Sequence, residues 1–153
     1  MTKKILEVPY IRQKINFCGP ACLAMVMQYH GLEITQDDIG YEMCAHIWSP
    51  RLEDLSNFAR KKGFYAEIKE CSMYELLTSV SEGNPVIVRQ RRSYLNEAGH
   101  ARLVIGYDTI EKRIIFHDPE IDKELDISFK LFRELWRLLG LSDMGLLIRK
   151  LQS

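Results

Sequence analysis

The sequence predicts an α+β domain with an antiparallel sheet. Three observations lead there. Helical patterns fill the first half of the chain and strand patterns dominate the second. The later strands are joined by short hairpin-type connections, not by crossover helices. The stretch from Ala21 to Tyr29 is apolar on nearly every side, as in a helix that lies inside a domain. At 153 residues the chain has the length for one domain with an ample core.

Each element has a local cause. Val8-Pro9-Tyr10-Ile11 is a short extended segment leading to Arg12-Gln13-Lys14. Asn16-Phe17-Cys18-Gly19-Pro20-Ala21-Cys22-Leu23-Ala24-Met25 reads as a tight turn that starts the interior helix, with Pro20 suited to the first helical position and Gly31 to a C-terminal stop. Thr35-Gln36-Asp37-Asp38 forms a capping box for a helix to about Ala45. Ser49-Pro50 opens another helix, with Leu52, Leu55, Phe58 and Ala59 on one face. Arg60-Lys61-Lys62 closes it before Gly63 and complements its dipole. Phe64 to Glu70 alternates as a strand, and Ser72-Met73-Tyr74-Glu75 caps a short helix ending near Gly83-Asn84-Pro85.

Strands follow. Val86-Ile87-Val88 is a buried one, and Arg91 to Gly99 is a polar loop. His100 to Tyr107 and Arg113 to His117 read as a hairpin, and Leu125 to Ile127 as a short edge strand. Phe129, Leu131, Phe132, Leu135, Trp136 and Leu139 form the apolar set of a helix ending at Gly140, and Gly145 to Leu151 is a closing strand.

Charge and cysteine content narrow the function classes. Lys and Arg number 21, as do Asp and Glu, so no net field favours nucleic acid or an anionic membrane. No apolar run is long enough to span a bilayer, and the N-terminal residues lack a signal-peptide pattern, so a cytoplasmic location is expected. Cys18, Cys22, Cys44 and Cys71 are therefore expected as free thiols. Cys18 and Cys22 have one spacer too many for a thioredoxin-like pair, and the histidines do not complete a zinc site, so neither metal nor cofactor is expected.

Cys18 carries the chemistry. At a helix start, unsatisfied backbone N–H groups and the positive end of the dipole converge on the thiol and favour the thiolate. A lone cysteine there could still be inert, because a nucleophile needs a base and a group to orient that base. Of the four histidines, His30 ends the central helix, His46 lies near a helix end, and His117 stands between Phe116 and Asp118. His100 follows Gly99 and opens a buried strand beside a polar loop, a good place for a base. Taken alone, it reads equally well as a partly buried structural histidine. Asp108, on the same strand, lies roughly 26 Å from His100 at a rise of ~3.3 Å per residue and is excluded as the orienting group. Asp118 reaches His100 only if it pairs opposite residue 102; a shift by one residue turns it to the other face. An odd-length connection, or a bulge with the same effect, is therefore expected. Gln13 is either an exposed loop glutamine or an amide donor beside the thiol.

Val8-Pro9-Tyr10, Gln13, the Cys18-to-Met25 motif, Gly99-His100 and His117-Asp118-Pro119, in that order, resemble the bacteriocin-processing, double-glycine leader peptidase family of papain-like cysteine peptidases. The resemblance extends over most of the chain. It implies a single stand-alone domain over 1–153, with a helical lobe over about 1–82 carrying Cys18 on a buried helix. An antiparallel β lobe over about 83–153 would carry His100 and Asp118. It also implies that Gln13 helps form an oxyanion hole. Three features depart from the family pattern: Phe17 before the cysteine, a Gln13-to-Cys18 interval one residue short, and Ala101-Arg102 after the histidine.

The expected activity is cleavage of a peptide or amide bond by a Cys18-His100-Asp118 triad, on a leader peptide after small residues. Transfer of the acyl group to another nucleophile would use the same groups. The alternative is an inactive peptidase-like domain that binds a peptide or leader sequence. The expected partner is a peptide or protein substrate, without nucleic acid or membrane insertion.

Overall fold

In the computed structural model, residues 2–140 and 143–151 are described. Residues 1, 141, 142, 152 and 153 of the expected 1–153 domain lie outside them. The chain runs β1 (Lys3–Ile5), α1 (Cys18–Tyr29), α2 (Gln36–Glu42), α3 (Leu52–Lys61), β2 (Phe64–Glu70) and α4 (Met73–Ser81). It continues with β3 (Val86–Arg91), β4 (Gly99–Asp108), β5 (Arg113–Asp118), β6 (Asp122–Ser128), α5 (Phe129–Leu138) and β7 (Met144–Lys150). The described strands form one antiparallel sheet in the order β2-β7-β3-β4-β5-β6, with β1 added on β4.

The sheet crosses the lobe boundary expected near residue 83. β1 and β2 come from the first 82 residues, yet β1 pairs with β4 and β2 with β7. The boundary drawn from chain order could not register this, because β2's partner lies at the far end of the sequence.

α1 is buried from Cys18 through Met27, so apolar residues on all sides suit it. It ends in a Schellman motif: Gly31 takes φ +96°, and the Gly31 and Leu32 N–H groups donate to the Gln28 and Met27 carbonyls. The helix begins at Cys18, which puts Pro20 at its third residue rather than its first. α2 has the expected Thr35–Asp38 capping box but stops at Glu42, short of Ala45. Cys44, at φ +56°, closes it with the Ala45 N–H on the Gly40 carbonyl. α3 starts two residues after Pro50. Asp54 accepts the Arg51 N–H at 2.9 Å, and Arg89 of β3 draws the Pro50 carbonyl away at 2.9 Å.

The register of β4 against β5 decides where Asp118 goes. The pairs begin as Asp108 with Arg113 and Tyr107 with Ile114. Between Val104 and Gly106 a β-bulge shifts them, so that Val104 faces Phe116 and Leu103 faces His117. Carried one residue further, Asp118 stands opposite Arg102, on the face that carries His100. The even-length connection over 109–112 is thus compensated by the bulge that the sequence required.

Candidate active site

Cys18 is the first residue of α1, where its backbone N–H has no partner within the helix. The turn before it is tight. The Phe17 N–H donates to the Lys14 carbonyl at 2.9 Å, and Asn16 takes φ 65°. Phe17 is buried against α2 because Gly40 has no side chain: a Cβ there would lie 2.3 Å from the Phe17 ring. Tyr41 meets the same ring edge-on at 5.9 Å. The residue before the thiol is therefore locked by packing.

His100 and Asp118 are both fully buried. The His100 Nε2–H donates to Asp118 Oδ1 at 2.6 Å, which leaves Nδ1 for the thiol side. Nδ1 is buried and lacks a nitrogen or oxygen partner in hydrogen-bond range; the Glu120 carboxylate is 3.9 Å away. Burial pushes the Cys18 thiol up, but the His100 imidazole beside it, the Ala101 N–H and the charge of Arg89 outweigh it and bring it below its ordinary value. Burial lowers His100, yet its bond to Asp118 and the neighbouring Cys18 leave it raised. Burial raises Asp118, and the charged partners His100 and Arg102 leave it lowered. These directions agree: the Cys18 and His100 shifts both lean toward a thiolate beside an imidazolium, and the Asp118 shift toward an ionised carboxylate behind.

The other cysteines contrast with this. Burial pushes Cys71 up to about 11 and Cys22 well above its ordinary value. Cys44 is exposed, and all four are free.

Gln13 sits on the segment that leads into the turn. Its backbone N–H donates to the Pro119 carbonyl at 2.8 Å, which fastens it beside the end of β5. Its side-chain Nε2 donates to the Lys14 carbonyl at 3.3 Å, the same oxygen that closes the turn before Cys18. The amide has a second N–H with no other acceptor among the described residues.

The two neighbouring histidines and aspartates sort themselves by environment. His117 Nδ1 accepts the Glu124 N–H at 3.0 Å, so its Nε2–H donates to the Val8 carbonyl at 2.8 Å. Tyr10 packs edge-on against its ring and donates its hydroxyl to the Asp118 carbonyl at 2.7 Å. The Val8-Pro9-Tyr10 segment is thereby tied to β5. Asp108 serves the turn that follows it, accepting the N–H groups of Ile110 and Glu111.

Sequence reasoning did not find Arg102, Gln90 or Glu120 around the site. Arg102 donates to Asp118 Oδ2 at 3.0 Å and to Gln90 Oε1 at 3.1 Å. Glu120 pairs with Arg92 near His100. A charged residue in the apolar run Ala101 to Ile105 was the one signal available.

An α-helix carrying a thiol at its start, set against an antiparallel sheet that carries a His–Asp pair, defines the papain-like cysteine peptidase class. The chain belongs to the Peptidase C39 like family, whose model matches residues 5–144. Three solved structures share the fold. A protein described as a C39-like peptidase from Bacillus anthracis superposes with TM-score 0.80 at 20% identity over 100% of both chains. The peptidase domain of Streptococcus ComA, a bifunctional ABC transporter involved in quorum sensing, gives 0.76 at 19%, over 94% of this chain and 98% of that one. A double glycine motif protease from an AMS/PCAT transporter, in complex with the leader peptide, gives 0.72 at 17%, over 96% and 94%. No curated protein sequence matches significantly. Among the described residues no helix is long and apolar enough to cross a membrane.

Proposed function

We propose that this chain is an active cysteine peptidase that cleaves a peptide bond by the Cys18-His100-Asp118 triad. One observation carries the reading: His100 holds Asp118 through Nε2 at 2.6 Å and keeps Nδ1 unpaired on the Cys18 side. Cys18 attacks the carbonyl carbon as the thiolate. The carbonyl oxygen becomes an oxyanion, held by the Cys18 backbone N–H and the free N–H of the Gln13 amide. His100 as imidazolium gives its proton to the leaving amine, and a thioester remains on Cys18. Water, deprotonated by His100, then releases the acid and restores the thiol. Asp118 fixes the ring orientation and stabilises the imidazolium.

The substrate class we propose is a leader peptide cut after small residues, by likeness to the double glycine protease found with its leader peptide. We place the protein in the cytoplasm, where Cys18 stays reduced. The test is turnover of a synthetic leader-type peptide with paired glycines at the cut, followed by mass spectrometry. Wild type is expected to cleave, and Cys18→Ala and His100→Ala to be inactive. Cleavage by Cys18→Ala would sink the mechanism. Binding of the peptide by wild type with no cleavage would identify a peptide-binding relative instead.

A further inference from the structure

Arg102 interrupts the apolar run of β4 between Ala101 and Leu103, with only 4% of its surface exposed. A guanidinium at that depth needs a partner for its N–H groups. Nε donates to Asp118 Oδ2 at 3.0 Å, one terminal nitrogen to Gln90 Oε1 at 3.1 Å, and the other to the Arg92 carbonyl at 2.9 Å. The group lies over the Phe116 ring, 5.3 Å from its centroid. Gln90, fully buried, is in turn fixed by donating to the Phe132 carbonyl of α5 at 2.8 Å. One buried chain of hydrogen bonds therefore runs from α5 through Gln90, Arg102 and Asp118 to His100. Asp118 Oδ1 also accepts the N–H groups of Glu120 at 2.9 Å and Ile121 at 3.3 Å. Both carboxylate oxygens are occupied, and the group cannot rotate without losing bonds.

We propose that Arg102 is a positioning residue for the Cys18–His100 pair: it locks the Asp118 carboxylate in one orientation, and its charge sets the pH range in which the thiolate–imidazolium pair exists. The proposal rests on reading Cys18 as nucleophile and His100 as its base. Stability is a weak reason to bury a salt bridge, because desolvation cancels most of the attraction. The charges that face the pair are few. Asp118 faces His100, Arg102, the Tyr10 hydroxyl side and Cys22. His100 faces Asp118, Cys18 and Glu120, and Glu120 is itself paired with Arg92. Cys18 faces His100 and Arg89. Removing a cation from this set favours the protonated form of every neighbouring acid, so thiolate appears at higher pH.

The experiment is the pH profile of Cys18 alkylation by iodoacetamide, resolved from the other thiols by peptide mass spectrometry, in Arg102→Met, Arg102→Gln and Arg102→Lys. Glutamine keeps a donor for Asp118 without the charge and serves where methionine does not fold. The midpoint is expected to rise by about one pH unit in Met and Gln, tenfold in proton concentration, and to stay within about 0.3 unit of wild type in Lys. A folded Met or Gln variant with the wild-type midpoint overturns the proposal, even if its melting temperature falls. Wild-type Cys18 labelling no faster than Cys22 overturns both this inference and the peptidase reading. A reactive wild-type Cys18 with unmoved variants overturns this inference alone.

Discussion

Reactivity in this protein is a matter of which residue lies where, down to single ring nitrogens. His100 and His117 are both buried on neighbouring strands, yet only His100 has a carboxylate on Nε2 and an unpaired Nδ1. Cys18 and Cys22 lie one helical turn apart, and only at Cys18 do the His100 imidazole and the Ala101 N–H reverse the effect of burial. Below pH 7, iodoacetamide is therefore expected to modify Cys18 at least tenfold faster than Cys44, although Cys44 is exposed. Peptide-resolved labelling checks this, and equal slow labelling of all four thiols would contradict it. In the proposed mechanism Gln13 acts on the oxyanion and not on the thiol. Gln13→Ala is expected to lower turnover of a cleaved peptide by about 10²–10³-fold while leaving the alkylation midpoint unmoved. A shifted midpoint would show that the amide has another role.

At the scale of elements, the start of α1 depends on α2. Phe17 fills the space that Gly40 leaves, and the next residue is the thiol. Gly40→Ala drives a methyl into that ring, and overpacking of this kind costs about 1–3 kcal/mol. Urea denaturation should register the loss, and Gly40→Ala with Phe17→Leu should recover part of it. Equal stability of Gly40→Ala and wild type would mean that Phe17 yields without moving α1. The β4–β5 pair was more legible than the helices. The demand for Asp118 opposite residue 102 followed from the alternation of strand side chains once Asp118 was taken as the group behind His100, and the bulge at 104–106 meets it. The ends of α2 and the start of α3 were less legible. A left-handed Cys44 and an Arg89 bond to Pro50, 39 residues away, set them.

The whole molecule couples ionisation to folding through its buried and half-buried histidines. Burial lowers His117 and His30, so both bind protons less readily folded than unfolded. Their contribution is present above the unfolded value of about 6.5 and is lost as pH falls below it toward their lower folded values. His100 is raised, and its contribution is present below about 6.5 and lost as pH rises through its folded value. Asp118 is lowered, and its contribution is lost only in acid, as pH falls from about 3.9 through its folded value. Melting temperature is thus expected to fall between pH 6.5 and 5 in wild type, and less steeply in His117→Gln. Equal slopes in the two proteins would show that His117 does not carry the linkage.

The amino-acid sequence by itself determined the helical and strand segments other than β1, the interior helix that opens on Cys18, the antiparallel class and the family. These depend on periodicity, capping residues and short motifs, all local in the chain. Tertiary structure alone decided that β2 belongs to the sheet, that β7 lies between β2 and β3, and that Arg102 and Gln90 brace Asp118 from behind. These are pairings between residues far apart in sequence. Their partners are chosen by burial and hydrogen-bond satisfaction in three dimensions, which no local pattern records.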